Sequence, residues 1–126
     1  MTSTPILYGL DNCDTCKKAR KWLQQAAVRH QFIDYRKSPL PADLLKASAS
    51  KLGWDALINR SGTTWRNLLP NKKNPGSDAE YVLLVRENPS LVRRPLIVIG
   101  DALHLGFSHG MFEKLFNDQS TAGTST

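Results

Sequence analysis

Cysteine is scarce in this chain of 126 residues, and its two copies, Cys13 and Cys16, stand in one short stretch. That excludes a disulfide framework, which needs several pairs spread along a small chain. Histidine is nearly as sparse, with His30, His104 and His109. One C-x-x-C supplies half of a structural zinc site, and none of the histidines stands at H-x-x-x-H spacing to complete it, so no metal is expected. No uninterrupted apolar run is long enough to span a bilayer, and no charged-then-apolar secretion pattern opens the chain. A soluble, cytoplasmic protein is the expectation. In that compartment a cysteine pair stays mostly reduced, so a bond between the two would be transient and functional. Acidic residues are outnumbered, 11 against 17 basic, for a net charge of +6. The excess favours anionic partners without choosing one, and a solvated basic surface accounts for it most simply. Zinc fingers, RNA-binding aromatic signatures and long basic arms are missing, which makes direct nucleic-acid binding a minor reading.

What is present centres on Ile6 to Leu23. The apolar run Ile6 to Tyr8 ends at Gly9, a polar loop comes next, and a helical pattern begins at or just after Cys13. Cys13 then sits at a helix N-terminus, where unpartnered N–H groups and the macrodipole favour a thiolate over a thiol. It is the candidate nucleophile. Cys16, one turn on, is the candidate resolving thiol. Lys17, Lys18 and Arg20 push the thiolate pKa down, whereas Asp11 and Asp14 oppose them. A pair of buried structural cysteines is the alternative, and it suits Cys16, on the apolar helix face, better than Cys13.

The first helix is predicted over about residues 14 to 28, and Gln31 to Tyr35 as a second strand parallel to the first. The cysteine loop then lies at the C-terminal edge of strand one, where α/β sheets place ligands. Pro41 occupies the first turn of a second helix that Gly53 stops. Asn59 to Asn67 reads as a structured loop and Pro70 to Gly76 as a mobile connector. Ser77 with Glu80 has capping-box spacing for a third helix ending at Asn88-Pro89. Pro95 to Ile99, the turn Gly100-Asp101 and Ala102 to Leu105 form a hairpin, and Ser108 caps a last helix. One domain over residues 1–117 is expected, thioredoxin-like in its β-α-β then β-β-α order, with a helical insertion at about 40–90. Residues 118–126 read as a disordered polar tail. Proline is tolerated at the start of the third strand, where a cis Arg94-Pro95 bond would bring backbone beside the cysteine loop.

These landmarks together resemble the arsenate reductase and Spx superfamily, closest to its YffB-like thiol-reductase branch, over about Ile6 to Phe116. They are Tyr8-Gly9 before Asn12-Cys13-Asp14-Thr15, Lys17 to Leu23, Gly53-Trp54, Gly62-Thr63-Thr64-Trp65-Arg66, Arg94-Pro95-Leu96 and Gly106-Phe107-Ser108. The resemblance implies a thioredoxin-like fold with a helical insertion and a catalytic thiol at Cys13, with glutathione as reductant and no tightly bound cofactor. The glutathione-using arsenate reductases supply a histidine before the nucleophile and three arginines. Here those positions hold Gly9, Asn59 with Arg60 one residue displaced, Arg94, and Phe107. Arsenate reduction is therefore not expected, since an oxyanion needs several fixed cationic donors.

Spx-type regulators of RNA polymerase carry a C-x-x-C as a redox switch and an Arg-Arg-Pro like Arg93-Arg94-Pro95, so a redox-sensing regulator is the alternative. The Gly-Thr-Thr-Trp-Arg loop speaks for the reductase. In that reading the Cys13 thiolate attacks a disulfide or oxidised sulfur substrate, and Cys16 or glutathione resolves the mixed disulfide. Arg94 holds an anionic substrate group or a glutathione carboxylate, with Asn59 or Arg60 as a weaker second contact. Backbone beside Pro95 lines the peptide-like part. A monomer without membrane association is expected.

Overall fold

The computed structural model describes residues 4–117, so the expected polar tail lies outside the described residues. Its centre is a four-stranded sheet in the order β2-β1-β3-β4, with β1 at Ile6–Gly9, β2 at Gln31–Asp34, β3 at Leu96–Ile99 and β4 at Ala102–Leu105. A helix, α1 (Asp14–Gln25), carries the chain from β1 back to a parallel β2, placing Leu7 opposite Phe32. On its other side β1 pairs antiparallel with β3, Leu7 opposite Ile97. The tight turn at Gly100-Asp101 then folds β4 antiparallel onto β3, and Gly100 adopts the positive φ of 60° that such turns require. This is an α/β, thioredoxin-like arrangement.

Alternation along the central strands sends side chains into two cores, one on each face of the sheet. Leu7, Ile97 and Ile99 meet Ala19 and Leu23 of α1 and Phe112 and Phe116 near the chain's end. Leu96 instead joins Leu45, Leu57, Val85, Leu91 and Val92, which come from the segment between β2 and β3. Burying each large apolar side chain contributes roughly 1.5–3 kcal/mol. That intervening segment is mainly helical: α2 (Ala42–Leu52), α3 (Trp54–Leu57), α4 (Thr63–Arg66), a 3₁₀ turn at Pro70–Lys72 and α5 (Asp78–Glu87). A short helix, α6 (His109–Phe112), which runs on into a π-helical turn over Glu113–Asn117, is capped by Ser108, whose hydroxyl accepts from the Met111 N–H at 3.1 Å. Among the described residues no helix is long and apolar enough to cross a membrane.

Several boundaries differ from the sequence expectation for identifiable reasons. Helix α1 ends at Gln25 rather than near 28, because Ala27 takes a left-handed φ of 57° and the Val28 N–H folds back onto the Leu23 carbonyl at 2.9 Å. The cap falls on alanine, so no glycine marks it. Pro41 stands one position outside α2 as its N-cap. The polar stretch 59–67 contains α4, and the expected connector after Pro70 contains a 3₁₀ turn. At α5 the Ser77 hydroxyl accepts from the Glu80 N–H at 3.2 Å, while the Glu80 carboxylate reaches back to the Gly76 N–H rather than to that of Ser77.

A small pairing outside the sheet joins two distant parts of the chain. Ile58 bridges Val92 antiparallel, with Asn59 N–H donating to the Leu91 carbonyl and Arg93 N–H to the Leu57 carbonyl, both at 2.8 Å. It ties the helical segment to the chain entering β3, beside the cysteine loop.

Candidate active site

Strand β1 stops at Gly9 because the chain must pass close to α1. A Cβ at that position would lie 2.5 Å from the Cys16 sulfur and 3.2 Å from the Phe32 ring. Glycine here is the condition for Cys16 to sit in the first turn of α1. The loop after it is latched to the end of β2. The Asp34 carboxylate accepts the backbone N–H of Asp11 at 3.1 Å and of Arg36 at 2.8 Å. Slight burial works against that carboxylate's charge, but these N–H donors outweigh it and hold its pKa below the usual range. Asp11 itself pairs with Lys37 at 2.9 Å and Arg20 at 3.6 Å. Its charge, expected to oppose the thiolate, is met by those two cations.

Cys13 is the N-cap of α1 and half-buried, while Cys16 is fully buried. Burial alone would push the Cys13 thiol up. The Cys16 backbone N–H, the Arg94 guanidinium and the Cys16 thiol together overcome it, and the pKa falls below the ordinary value. Cys16 goes the opposite way: burial, with the neighbouring Cys13 charge, pushes it up to about 12. The pair is thus asymmetric, a thiol whose ionisation is favoured beside one whose ionisation is opposed.

Arg94 is held from three directions. Its Nε donates to Cys13 Sγ at 3.4 Å, and its Nη1 to the Ser90 carbonyl at 3.0 Å and the Tyr35 hydroxyl at 3.3 Å. Tyr35, buried at the end of β2, donates its own hydroxyl to the Val92 carbonyl at 2.8 Å. Ser90 is fixed in turn by a 2.8 Å hydroxyl contact with Thr64 of α4. Thus the Gly-Thr-Thr-Trp-Arg loop reaches the site through Arg94 rather than by touching sulfur. The Arg94-Pro95 peptide is cis, Pro95 is buried, and its carbonyl accepts the Gly106 N–H at 2.9 Å.

Cys13, Asn59 and Arg94 come together in one cavity of about 280 Å³, completed by Thr15, Arg93, Leu105 and Gly106. Arg60 is the correction: it does not line this cavity. Its guanidinium is bonded to Asp55 and, at 2.8 Å, to the Tyr81 hydroxyl, and lies 5.2 Å above the Trp65 ring. Leaving the Ile58 bridge, neighbouring residues point opposite ways, so a displacement of one position removes the cation from the site. Phe107 packs edge-on to Phe112 at 4.7 Å, within the second core. Tyr35 and Ser90, which orient Arg94, carried no sequence signal, and Thr64 stood out only within the Gly-Thr-Thr-Trp-Arg landmark, because their meeting depends on tertiary packing.

A lowered thiolate beside a guanidinium and a proton-holding thiol is suited to attack on sulfur. The family pattern of the ArsC family matches residues 8–115. An uncharacterized protein of Haemophilus influenzae is 37% identical over 110 residues, covering 87% of this chain and 96% of that protein. The global transcriptional regulator Spx of Streptococcus mutans is 33% identical over 104 residues, covering 81% of this chain and 75% of the regulator. The solved structure of a YffB protein superposes with a TM-score of 0.82 at 33% identity, over 88% of this chain and 97% of that one. The chain therefore belongs to the ArsC family, in the superfamily it shares with the Spx regulators, and stands with the YffB-like branch.

Proposed function

We propose that the protein is a glutathione-dependent thiol-disulfide oxidoreductase with Cys13 as its nucleophile. The observation that carries this is the 3.4 Å contact from Arg94 Nε to a Cys13 sulfur at the start of α1, with the thiol pKa drawn down. The thiolate attacks one sulfur of a disulfide, the old S–S bond breaks, and the leaving sulfur takes the electron pair. The resulting mixed disulfide is then opened by glutathione or by Cys16. Cys16 keeps its proton partly because a charged Cys13 lies beside it. Once Cys13 is bonded to another sulfur that charge is gone, and Cys16 ionises more easily.

Arsenate is a poor substrate in this reading. The cavity offers Arg93 and Arg94, while Gly9 and Phe107 supply no donor side chain and Arg60 is engaged elsewhere. Each missing charge-assisted hydrogen bond withholds about 1.5–3 kcal/mol from the oxyanion. The second reading, an Spx-type regulator that binds RNA polymerase, is favoured by the likeness to the Streptococcus mutans regulator. There the Cys13-Cys16 pair would be a switch without turnover. Glutathione-dependent disulfide reduction, measured beside a pull-down with RNA polymerase, separates the two. Turnover without binding supports the reductase; binding without turnover overturns it.

A further inference from the structure

Arg94 cannot both hold the thiolate and grip a carboxylate in a fork. A bidentate grip uses either Nε with Nη2 or Nη1 with Nη2. Nε is directed at Cys13 Sγ, and Nη1 is shared between the Ser90 carbonyl and the Tyr35 hydroxyl. Both donor pairs are therefore broken. Arg93 is in the opposite condition. Its backbone is fixed through the Leu57 carbonyl at 2.8 Å, its side chain is exposed, and among the described residues its guanidinium makes no hydrogen bond or ion pair. It lines the same cavity as Cys13 and Asn59. Asn59 is already oriented: its Oδ1 accepts from the Ser61 N–H at 3.2 Å and the Ser61 hydroxyl at 2.9 Å, which leaves Nδ2 as an unused donor.

We infer that Arg93, assisted by Asn59 Nδ2, is the carboxylate-binding subsite of the cavity, selecting peptide disulfides that carry negative charge near the reacting sulfur. Arg94 serves the thiolate alone. The inference rests on the oxidoreductase reading and replaces Arg94 as the anchor for the substrate's anionic group. At about 280 Å³ the cavity falls just below the roughly 300–1,000 Å³ of sites that enclose a whole small molecule, so it takes one arm of such a disulfide. In the step served, Cys13 sulfur bonds to one sulfur of the disulfide. The other sulfur leaves as a thiolate with the electron pair of the broken bond, so Cys13 is oxidised as the leaving half is reduced.

The test uses the reduced full chain in a single turnover, tracking the Cys13 mixed disulfide by mass spectrometry. Glutathione disulfide is the charged probe and hydroxyethyl disulfide the neutral one. Arg93→Ala and Arg93→Gln lower the ratio of the two rates about fivefold, the upper end for an exposed ion pair. The neutral rate and the pH profile of Cys13 stay unchanged. Arg93→Lys recovers part of the ratio, and added salt erodes it in the unsubstituted protein. Arg94→Ala slows both probes alike. An unchanged ratio in the Arg93 variants, equal slowing of both probes, or loss of the ratio in Arg94→Ala instead would overturn the assignment. If the ratio shifts as expected while glutathione supports no multiple turnover, the reductase reading falls and the subsite stands.

Discussion

The cysteine loop and the aromatic corner of the helical segment each enclose an arginine, and the two have opposite fates. Around Arg60 the partners include an anion. Asp55 supplies a fixed counter-ion, the Tyr81 hydroxyl accepts a second bond, and the Trp65 ring lies beneath. Trp54 stacks on Tyr81 at 4.5 Å and anchors its indole N–H on Asp78 at 2.8 Å. The charge is neutralised where it stands. Around Arg94 the partners are a carbonyl, a hydroxyl and a sulfur, with no carboxylate. In the proposed reaction the anion that balances it is the Cys13 thiolate. In that reaction Arg94 acts through the lack of a fixed counter-ion, a property that counting arginines in a sequence does not reveal.

The largest break in this comparison comes from removing the anion. Cys13→Ser should reduce disulfide turnover to background, because a serine hydroxyl stays protonated beside the same guanidinium. Cys16→Ser should retain turnover that is driven by glutathione. A stopped assay with purified, folded variants checks both, and residual activity in Cys13→Ser would remove it from the nucleophile role.

Glycines in the two regions should separate next. Gly9→Ala forces a Cβ to within 2.5 Å of the buried Cys16 sulfur, an overpacking that costs about 1–3 kcal/mol. Gly62→Ala brings a Cβ to 2.9 Å from Asn59 Nδ2, the end of a half-buried side chain that gives way by loosening its contacts with Ser61, and should cost less. Urea denaturation measures the difference. Adding Cys16→Ala should restore most of the Gly9→Ala loss, and failure to do so would mean that the ring of Phe32, rather than the sulfur, sets the limit.

Arg94→Ala comes third. A thiol whose pKa is lowered ionises at a lower pH than an unperturbed one, so iodoacetamide labelling of Cys13 should rise early in a pH titration. Without Arg94 the rise moves to higher pH, and labelling at neutral pH slows. Arg94→Lys should restore only part of the shift, because the lysine lacks the planar fork that serves Cys13, Ser90 and Tyr35 at once. An unmoved profile in Arg94→Ala would assign the lowered pKa to the α1 terminus and to the N–H and thiol of Cys16.

Much of this arrangement is legible in the sequence, and what is not has physical reasons. Strand, loop and helix around Cys13, the Ser77 cap and the Gly100-Asp101 hairpin are encoded by neighbours within a few residues, so local patterns reveal them. The end of α1 is hidden because its left-handed cap falls on Ala27, and α4 because Thr63 to Arg66 is a single turn in polar sequence. At the site, Cys13 and Arg94 are readable. Tyr35 and Ser90 are not, and Thr64 shows only as part of the Gly-Thr-Thr-Trp-Arg landmark, since three separate segments meet only when the sheet and the helical segment close on each other. Arg60 misleads for the complementary reason: adjacency in sequence to Asn59 says nothing about which side of the chain it leaves.

The smallest effect should come from Arg60→Ala, and its smallness is the sharpest check on the comparison. If Arg60 served the substrate, as its place beside Asn59 suggested, losing it would lower turnover and weaken the preference for charged disulfides. The structure sends its charge to Asp55, which is exposed, and its plane to Trp65. An exposed ion pair contributes up to about 1 kcal/mol and a solvent-facing cation–π contact about 0.5–1 kcal/mol. Part of each is screened by water here, so the stability lost should be about 1 kcal/mol. Turnover, the pH profile of Cys13 and the ratio of charged to neutral probes should all remain as in the unsubstituted protein. A fall in the ratio with stability intact would return Arg60 to the site. It would also require the Asp55 pair to open when substrate binds, which Asp55→Asn would reveal by strengthening the charged probe's preference.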